Sequence, residues 1–380
     1  MKSIIELARG GVRDLKPCVH GGEVWEIRRK HAFLREDLLD FSANINPAGP
    51  SPRVIDEIKK GFWQIPFYPE SDSITLREAI AQYIKNIDSN NVIVGNGSTE
   101  LIHLFVEVFI DEGDEALIPV PTFGEYEVAV RRAGGRPRHV KSDQALIINP
   151  ENLLKKIGSM TKAIFLCNPN NPTGALITPE DLLGIVEAAA GENVLVFLDE
   201  DFMDFVGEEE HFSLKGKVLS HKNLFILRSL TKVFGLAGLR IGYGIACEEM
   251  IDLLLKVKIP WNVNCLGQLG ALAALKDKEY LEKTRKLVKT ERMFLSNELK
   301  RIRGLKVFPS HANFILINVR ESGFTAPQLK RKMLRHGILI RDCSSFKGLD
   351  KFHIRVAVRT RQQNLRLLEA LREVVGGLHT

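Results

Sequence analysis

Six short apolar runs, each closed by turn residues, alternate with amphipathic stretches through the first two thirds of the chain, and this alternation constrains the fold most. The runs are VIVG (92–95), EALIPV (115–120), AIFLC (163–167), NVLVFLD (193–199), LFILR (224–228) and IGYGIA (241–246). Strands covered on both faces lose the polar–apolar alternation of half-exposed ones, so these runs read as buried, parallel strands. Between them, TLREAIAQYIK (75–85), TELIHLFVEVF (99–109) and PEDLLGIVEAAA (179–190) carry helical periodicity. Pro179 and the two acidic residues behind it suit a first helical turn, where unpaired N–H groups and the dipole favour them. Strand and helix in alternation predict an α/β fold with a doubly wound, mostly parallel sheet. After Pro260 the pattern changes to a long helical stretch near 264–302, then strands at 306–309, 313–319, 337–341 and 352–358 with helices near 326–336 and 361–375. This predicts a smaller α+β domain. The expected division is 1–45 as an N-terminal arm completing the small domain, 46–270 as the large domain and 271–380 as the small one.

Composition excludes several classes. No stretch approaches the roughly 18 apolar residues of a membrane span. The five cysteines are dispersed without a Cys-x-x-Cys pair, against a zinc ribbon or disulfide framework and in keeping with a reducing, cytoplasmic setting. Lys and Arg number 53 against 47 Asp and Glu. They form no basic stripe interleaved with aromatics, so a nucleic-acid partner is disfavoured.

Ligands of doubly wound sheets bind beyond the carboxyl ends of the strands, and four notable segments fall there: GNGSTE (95–100), NPNNPTG (168–174), LDEDFMDF (198–205) and SLTKVFGLAGLRIGY (229–243). Taken singly, each has an ordinary explanation. GNGSTE is a glycine turn opening a helix, NPNNPTG a strong turn, Asp199 a carboxylate ending a buried strand, and Lys232 a lysine in a glycine-rich loop. Ser229-Leu-Thr-Lys232 also matches the S-x-x-K of penicillin-recognising enzymes, but the companion S-D-N and K-T-G elements are missing.

Together and in this order, the four segments resemble the fold-type I pyridoxal 5′-phosphate (PLP) enzymes, the aspartate aminotransferase superfamily. The resemblance implies a role for each residue. Lys232 would form the Schiff base with the cofactor aldehyde, and Asp199 would pair with the pyridinium nitrogen. Asn171 would donate to the ring's phenolate oxygen, and Phe123 would stack on the ring. Gly97, Ser98 and Thr99 would cradle the cofactor phosphate at a helix N-terminus, with Ser229 and Arg240 completing the cup. Tyr68 resembles the tyrosine that reaches a neighbouring subunit's cofactor phosphate, which implies a homodimer with shared sites.

Within the superfamily the chain resembles the histidinol-phosphate aminotransferase branch through NPNNPTG, FYPE and GILIRDCSSF…HIRVAVRTRQQN. His20-Gly-Gly, LLDFSANINPAGP and the Phe202 of DEDF resemble instead the threonine-phosphate decarboxylases of cobalamin biosynthesis. That second resemblance implies decarboxylation of L-threonine O-3-phosphate, or of serine phosphate, with Arg341 and Arg355 gripping the substrate phosphate and His20 and Asn44 assisting. Amino transfer is the alternative, and the two differ in whether CO2 or H⁺ leaves Cα. Period-two alternation along 352–358 would place Arg359 on the same face as Arg355. An aminotransferase-like sensor of a transcription regulator is disfavoured, because only about forty residues precede the large domain.

Overall fold

The computed structural model describes residues 3–30 and 38–376. Its strands are β1 (Leu39–Asp40), β2 (Val92–Asn96), β3 (Glu115–Val120), β4 (Arg136–Lys141), β5 (Thr161–Cys167), β6 (Leu195–Asp199), β7 (Leu224–Ser229), β8 (Ile241–Ile245), β9 (Lys306–Val307), β10 (Phe314–Asn318), β11 (Ile338–Leu339), β12 (Arg341–Asp342) and β13 (His353–Ala357). Seven of them form one sheet in the order β2-β8-β7-β6-β5-β3-β4.

Adjacent residues of the central strands feed opposite faces, both covered. Ile164, Leu166, Val196 and Leu198 join one core, while Phe165, Phe197 and Phe225 join the other. The three phenylalanines stand in register across β5, β6 and β7. Neighbouring centroids are 5.1 Å apart, and Phe105 of helix Ser98–Phe109 packs over them. Burial on both faces explains why the runs read as continuously apolar rather than alternating.

Two features of the seven-stranded sheet depart from the sequence expectation. β8 runs antiparallel to both β2 and β7, although IGYGIA reads as one more parallel strand. The connection from Ser229 to Ile241 is too short for a crossover helix, so the chain must return antiparallel. Gly244 makes the pairing possible, because a Cβ there would lie 2.2 Å from the Phe225 ring. The seventh strand, β4, has no apolar run to mark it: RPRHVK carries a proline and three Lys or Arg residues, which suit a sheet edge.

Helix Pro179–Gly191 begins as expected, with Thr178 accepting from the Asp181 N–H and Pro179 in the first turn. The stretch expected as one helix over 264–302 is two, Cys265–Lys276 and Lys278–Lys300, divided at Asp277, whose side chain caps the second. Four strands, β12-β13-β10-β9, form an antiparallel sheet, and β1 pairs in parallel with β11. The chain near residue 40 is thereby tied to the C-terminal strands, and Phe41 O accepts from the Ala357 N–H. Residues 31–37 of the expected N-terminal arm and 377–380 of the small domain lie outside the described residues.

Candidate active site

β2, β3, β5, β6 and β7 share one direction, so the loops after their carboxyl ends meet at one edge of the sheet. The four sequence segments fall at that edge. Asn170 ties two of the loops together: its Oδ1 accepts from Thr122 Oγ1 at 2.8 Å, and its Nδ2 donates to Pro121 O at 2.9 Å. This link fixes Phe123 relative to Asn171.

The helix Ser98–Phe109 opens with Gly97 as its N-cap at φ 82°. A Cβ on Gly97 would sit 2.5 Å from Arg240 Nη2, and one on Gly242 would sit 2.5 Å from Ser98 N. Both glycines clear space for a guanidinium to lie over a helix N-terminus. Arg240 itself is left-handed (φ 57°), a conformation that costs a non-glycine residue energy and recurs at functional sites. Unpaired helix N–H groups beneath a guanidinium make a phosphate cup, and the residues present fit that group. Ser229 is fully buried beside it and shares a 2.6 Å hydrogen bond with Thr231. Ser98 differs from expectation in one respect: its hydroxyl donates to Asp201 Oδ2 at 2.8 Å. Its backbone N–H, rather than its side chain, is what it offers to an anion.

Lys232 follows β7 and is partly open to the cleft, its Nζ 5.7 Å from the centre of the Phe202 ring. Burial, with Arg240 and Arg355 nearby, lowers its pKa, while Asp201 and Asp199 pull the other way. A lowered pKa favours the neutral, nucleophilic amine needed to form a Schiff base. Asp199 is buried at the end of β6, accepting from Tyr126 Oη at 2.5 Å and from the Asp201 N–H at 2.9 Å. Burial above all, and then Asp201, push its carboxyl up to about 8. A cationic N–H beside it would return it to the carboxylate form.

Asn171 Oδ1 accepts from Arg355 Nη1. A guanidinium only donates, so the amide oxygen must face Arg355, and Nδ2 is left to donate elsewhere. That is the orientation required of a donor to a phenolate oxygen. Arg355 also donates to Ser42 O at 2.9 Å and lies 5.0 Å over the Phe314 ring, while its Nε is buried without a partner. Asn44 is nearly buried too, with Oδ1 unpartnered.

A cavity of roughly 450 Å³ adjoins Phe123, Asn171 and Arg355, with His20 and Arg341 on its wall. Arg341 donates to the carbonyls of His20 and Val19, both at 2.6 Å, so its terminal nitrogens hold the N-terminal arm. His20 Nε2 lies 2.9 Å from Glu125 Oε1, and His103 Nε2 lies 3.2 Å from Glu125 Oε2. The hydrogen bonds from His103 and His20 pull the Glu125 carboxyl down to about 2. Tyr68 points away from this cleft. It is 82% exposed and rests against Trp261, with centroids 4.8 Å apart. β13 ends at Ala357, so the expected alternation does not extend to Arg359, whose Nε is buried without a partner.

Three residues essential to this arrangement were not singled out in the sequence. Tyr126 lies three residues after Phe123, a spacing that shares a face once a helix begins. Asp201 lies two after Asp199. Asn46 holds the lysine loop: its N–H donates to Lys232 O at 3.1 Å, and its Nδ2 donates to Val233 O at 2.8 Å and Thr284 Oγ1 at 3.1 Å.

Residues 36–371 match the family model "Aminotransferase class I and II". The chain is 36% identical to a histidinol-phosphate aminotransferase of Methanothermobacter thermautotrophicus over 369 residues, covering 97% of each chain. It superposes on the histidinol-phosphate aminotransferase of Clostridium acetobutylicum with a TM-score of 0.83 at 32% identity, over 90% of this chain and 100% of that one. The L-threonine-O-3-phosphate decarboxylase of Porphyromonas gingivalis gives a TM-score of 0.79 at 28% identity, over 89% of this chain and 100% of that one. The chain therefore belongs to the class I and II aminotransferases of PLP fold type I, and its cofactor is pyridoxal 5′-phosphate.

Proposed function

We propose that the chain is an aminotransferase exchanging an amino group between a phosphorylated amine, of which histidinol phosphate is the leading candidate, and a 2-oxo dicarboxylic acid. The observation that carries this reading is the seat of Arg355. Its guanidinium is hydrogen-bonded to Asn171 Oδ1, so it lies one residue from the group assigned to the ring's phenolate oxygen. An anion held there lies beside the ring edge. A planar guanidinium accommodates phosphate and carboxylate alike, so one arginine can serve both half-reactions. Gripping a substrate carboxylate there keeps it off the ring face and disfavours CO2 loss. The 36% identity to the Methanothermobacter aminotransferase supports the same choice.

Bound PLP supplies an aldehyde and an electron-accepting ring. The protein's own groups do the rest. Asp199, held by Tyr126, would keep a proton on the ring nitrogen, and Asn171 would donate to the phenolate oxygen. The helix N-terminus at Ser98 and Arg240 would hold the phosphate end. Lys232, with its pKa lowered, would supply the amine that holds the cofactor and the base that moves the substrate's proton.

Decarboxylation of threonine phosphate, which the second resemblance implies, is the second candidate. Its support is Phe202 at the Lys232 side of the cleft and the likeness to the Porphyromonas decarboxylase. Holoenzyme given histidinol phosphate and 2-oxoglutarate is expected to form glutamate. CO2 release from threonine phosphate without any oxo acid, and no glutamate from histidinol phosphate, would overturn amino transfer.

We further propose a cytoplasmic homodimer. Trp63, Ile65, Phe67, Tyr68 and Ile259 are all more than 60% exposed, an apolar face that a second copy would cover.

A further inference from the structure

Cys18 and His20 stand two residues apart in a segment of the arm that is neither helix nor strand. Glu125 opens the helix Glu125–Ala133, and His103 lies on the helix Ser98–Phe109. No role assigned to the cofactor or the substrate uses Cys18, Glu125 or His103, yet the fold gathers them around His20. One donor atom each from Cys18, His20 and Glu125 lie within 4.8 Å of one another. Glu125 is only 6% exposed, and its two oxygens face different partners: Oε1 lies 2.9 Å from His20 Nε2, and Oε2 lies 3.2 Å from His103 Nε2. The sulfur also has a shaped seat. A Cβ at position 124 would lie 2.7 Å from Cys18 Sγ, so the glycine there leaves room for it. Arg341 holds the carbonyls of Val19 and His20, both at 2.6 Å, and so fixes the backbone that joins the two donors of the arm.

We propose that Cys18, His20 and Glu125 form a site for a divalent cation of the zinc class, which pins the arm to the helix Glu125–Ala133 and keeps one coordination position for a further ligand. Thiolate, imidazole and carboxylate are zinc's donors, whereas calcium and magnesium take oxygen. Three protein ligands are the number found where zinc retains an open position. Cys18 and His20 also line the cavity that holds Phe123 and Arg355. His103 would keep its bond to the second carboxylate oxygen and orient the first, as outer hydrogen bonds do for metal ligands. Zinc's bond lengths set tetrahedral donors about 3.3–3.6 Å apart, so the donors, now within 4.8 Å, need close by at most about 1.5 Å. Side-chain rotation in the arm can supply that. The cation would replace the proton between His20 and Glu125 and the proton of the Cys18 thiol, which burial and then Glu125 push up to about 11. The site stands whichever reaction the cleft performs.

The test is calorimetric titration of chelator-treated holoenzyme with Zn²⁺ alone. One equivalent per chain should bind with a Kd below about 1 μM. X-ray absorption of that complex should show one sulfur at about 2.3 Å among nitrogen and oxygen ligands. Cys18→Ser, His20→Ala and Glu125→Gln should each weaken binding more than about a hundredfold, beyond the loss of an outer partner, whereas His103→Ala should weaken it by about ten- to a hundredfold. Three separate ligand variants guard against one failing to fold, and the lysine–cofactor absorbance of each reports its fold. Zinc should slow hydrogen exchange across residues 14–21 in the unaltered protein and leave the three ligand variants unchanged. If no tight equivalent binds, if zinc is held weakly at several places without sulfur, or if Cys18→Ser and Glu125→Gln bind it as the unaltered protein does, the cluster is only an ion pair and the proposal fails.

Discussion

Tyr126→Phe isolates one hydrogen bond in the buried floor of the site. Tyr126 is fully buried, its ring stacked on Phe165 at 5.5 Å, and its hydroxyl donates to Asp199 Oδ2 at 2.5 Å. Phenylalanine keeps the ring and its packing, so the change is electrostatic. A hydrogen bond to an ionised carboxylate contributes about 1.5–3 kcal/mol, and one to a neutral acid about 0.5–1.5. Without cofactor, Asp199 titrates near 8, so at pH 7 it is mostly protonated and the lost bond is the weaker kind. With PLP bound, the carboxylate must be ionised opposite the ring N–H, and the lost bond is the stronger kind. The difference, about 1–2 kcal/mol, predicts roughly 5- to 30-fold weaker PLP binding at pH 7. Fluorescence titration of cofactor-free protein measures this Kd, and thermal unfolding of the cofactor-free protein should shift only slightly. The sign of the pH dependence follows from the same group. Asp199 has its folded pKa raised above the unfolded value, so its contribution to cofactor-free stability is full below about 4 and is lost as pH rises through 8. Removing the Tyr126 donor raises that pKa further and extends the loss to higher pH. An unchanged PLP Kd in Tyr126→Phe, or cofactor-free protein destabilised as much as holoenzyme, would refute the reasoning.

Other perturbations test other parts of the frame. Gly97→Ala forces a Cβ to within 2.5 Å of Arg240 Nη2 at a positive φ, and should weaken PLP binding at least tenfold while affecting pyridoxal, which lacks the phosphate, much less. Arg228 lies 2% exposed with Nε 3.0 Å from Glu200 Oε2 and also meets Asp204 and Glu209, so Arg228→Met leaves buried Glu200 without its cation and leaves Asp204 and Glu209 with only Arg285 and Lys215. Chemical denaturation should report a loss of about 3–5 kcal/mol, and a loss under 1 would show the cluster to be dispensable. Glu125 has its carboxyl held near 2, so the arm contact it makes with His20 is present above pH 4.5 and lost as pH falls toward 2. Hydrogen exchange across residues 14–21 should rise over that window and stay flat in Glu125→Gln. If Tyr68 serves the opposite subunit, mixing inactive Tyr68→Ala and Lys232→Ala proteins should restore up to about a quarter of normal activity as one intact site forms per mixed dimer; no recovery after subunit exchange would place Tyr68 outside the site.

How far the sequence could be read depends on whether a role is local. The strand ends were legible because burial on both faces leaves a contiguous apolar run, and Asp199, Ser229 and Asn171 follow such runs directly. Gly97 and Arg240 were legible through motif order, although their contact spans two strands. Roles created by packing between distant segments were not. Tyr126 reaches Asp199 across 73 residues, and nothing in EYEVAV distinguishes that tyrosine from a core aromatic. Arg341 resembled a substrate contact, yet its partners are carbonyls of an arm more than 300 residues earlier. A carbonyl has no sequence signature, so no pattern could have indicated them. The direction of β8 is hidden for a related reason: apolar runs encode burial, whereas strand direction is set by the length of the preceding connection.

These distinctions bear on which anion the cleft can hold. Arg240, Lys232, Arg341 and Arg355 are the cationic side chains assigned to the site, but they are not equally free. Arg341 is committed to the arm, and Arg240 lies over the phosphate cup. Lys232 is the residue proposed to join the cofactor. Arg355 remains, with its Nε buried and unpartnered and its other contacts made to neutral oxygens. Burial pushes its pKa down to about 10, so it stays cationic at neutral pH while lacking a full counter-charge. An incoming anion gains most at the one guanidinium that is buried, charged and short of a partner. A single such seat fits substrates that present their anion in turn, a phosphorylated amine leaving before an oxo acid enters. With Arg355 on the phosphate of a substrate such as threonine phosphate, a second seat for its carboxylate could come from Arg341 only by letting go of Val19 and His20.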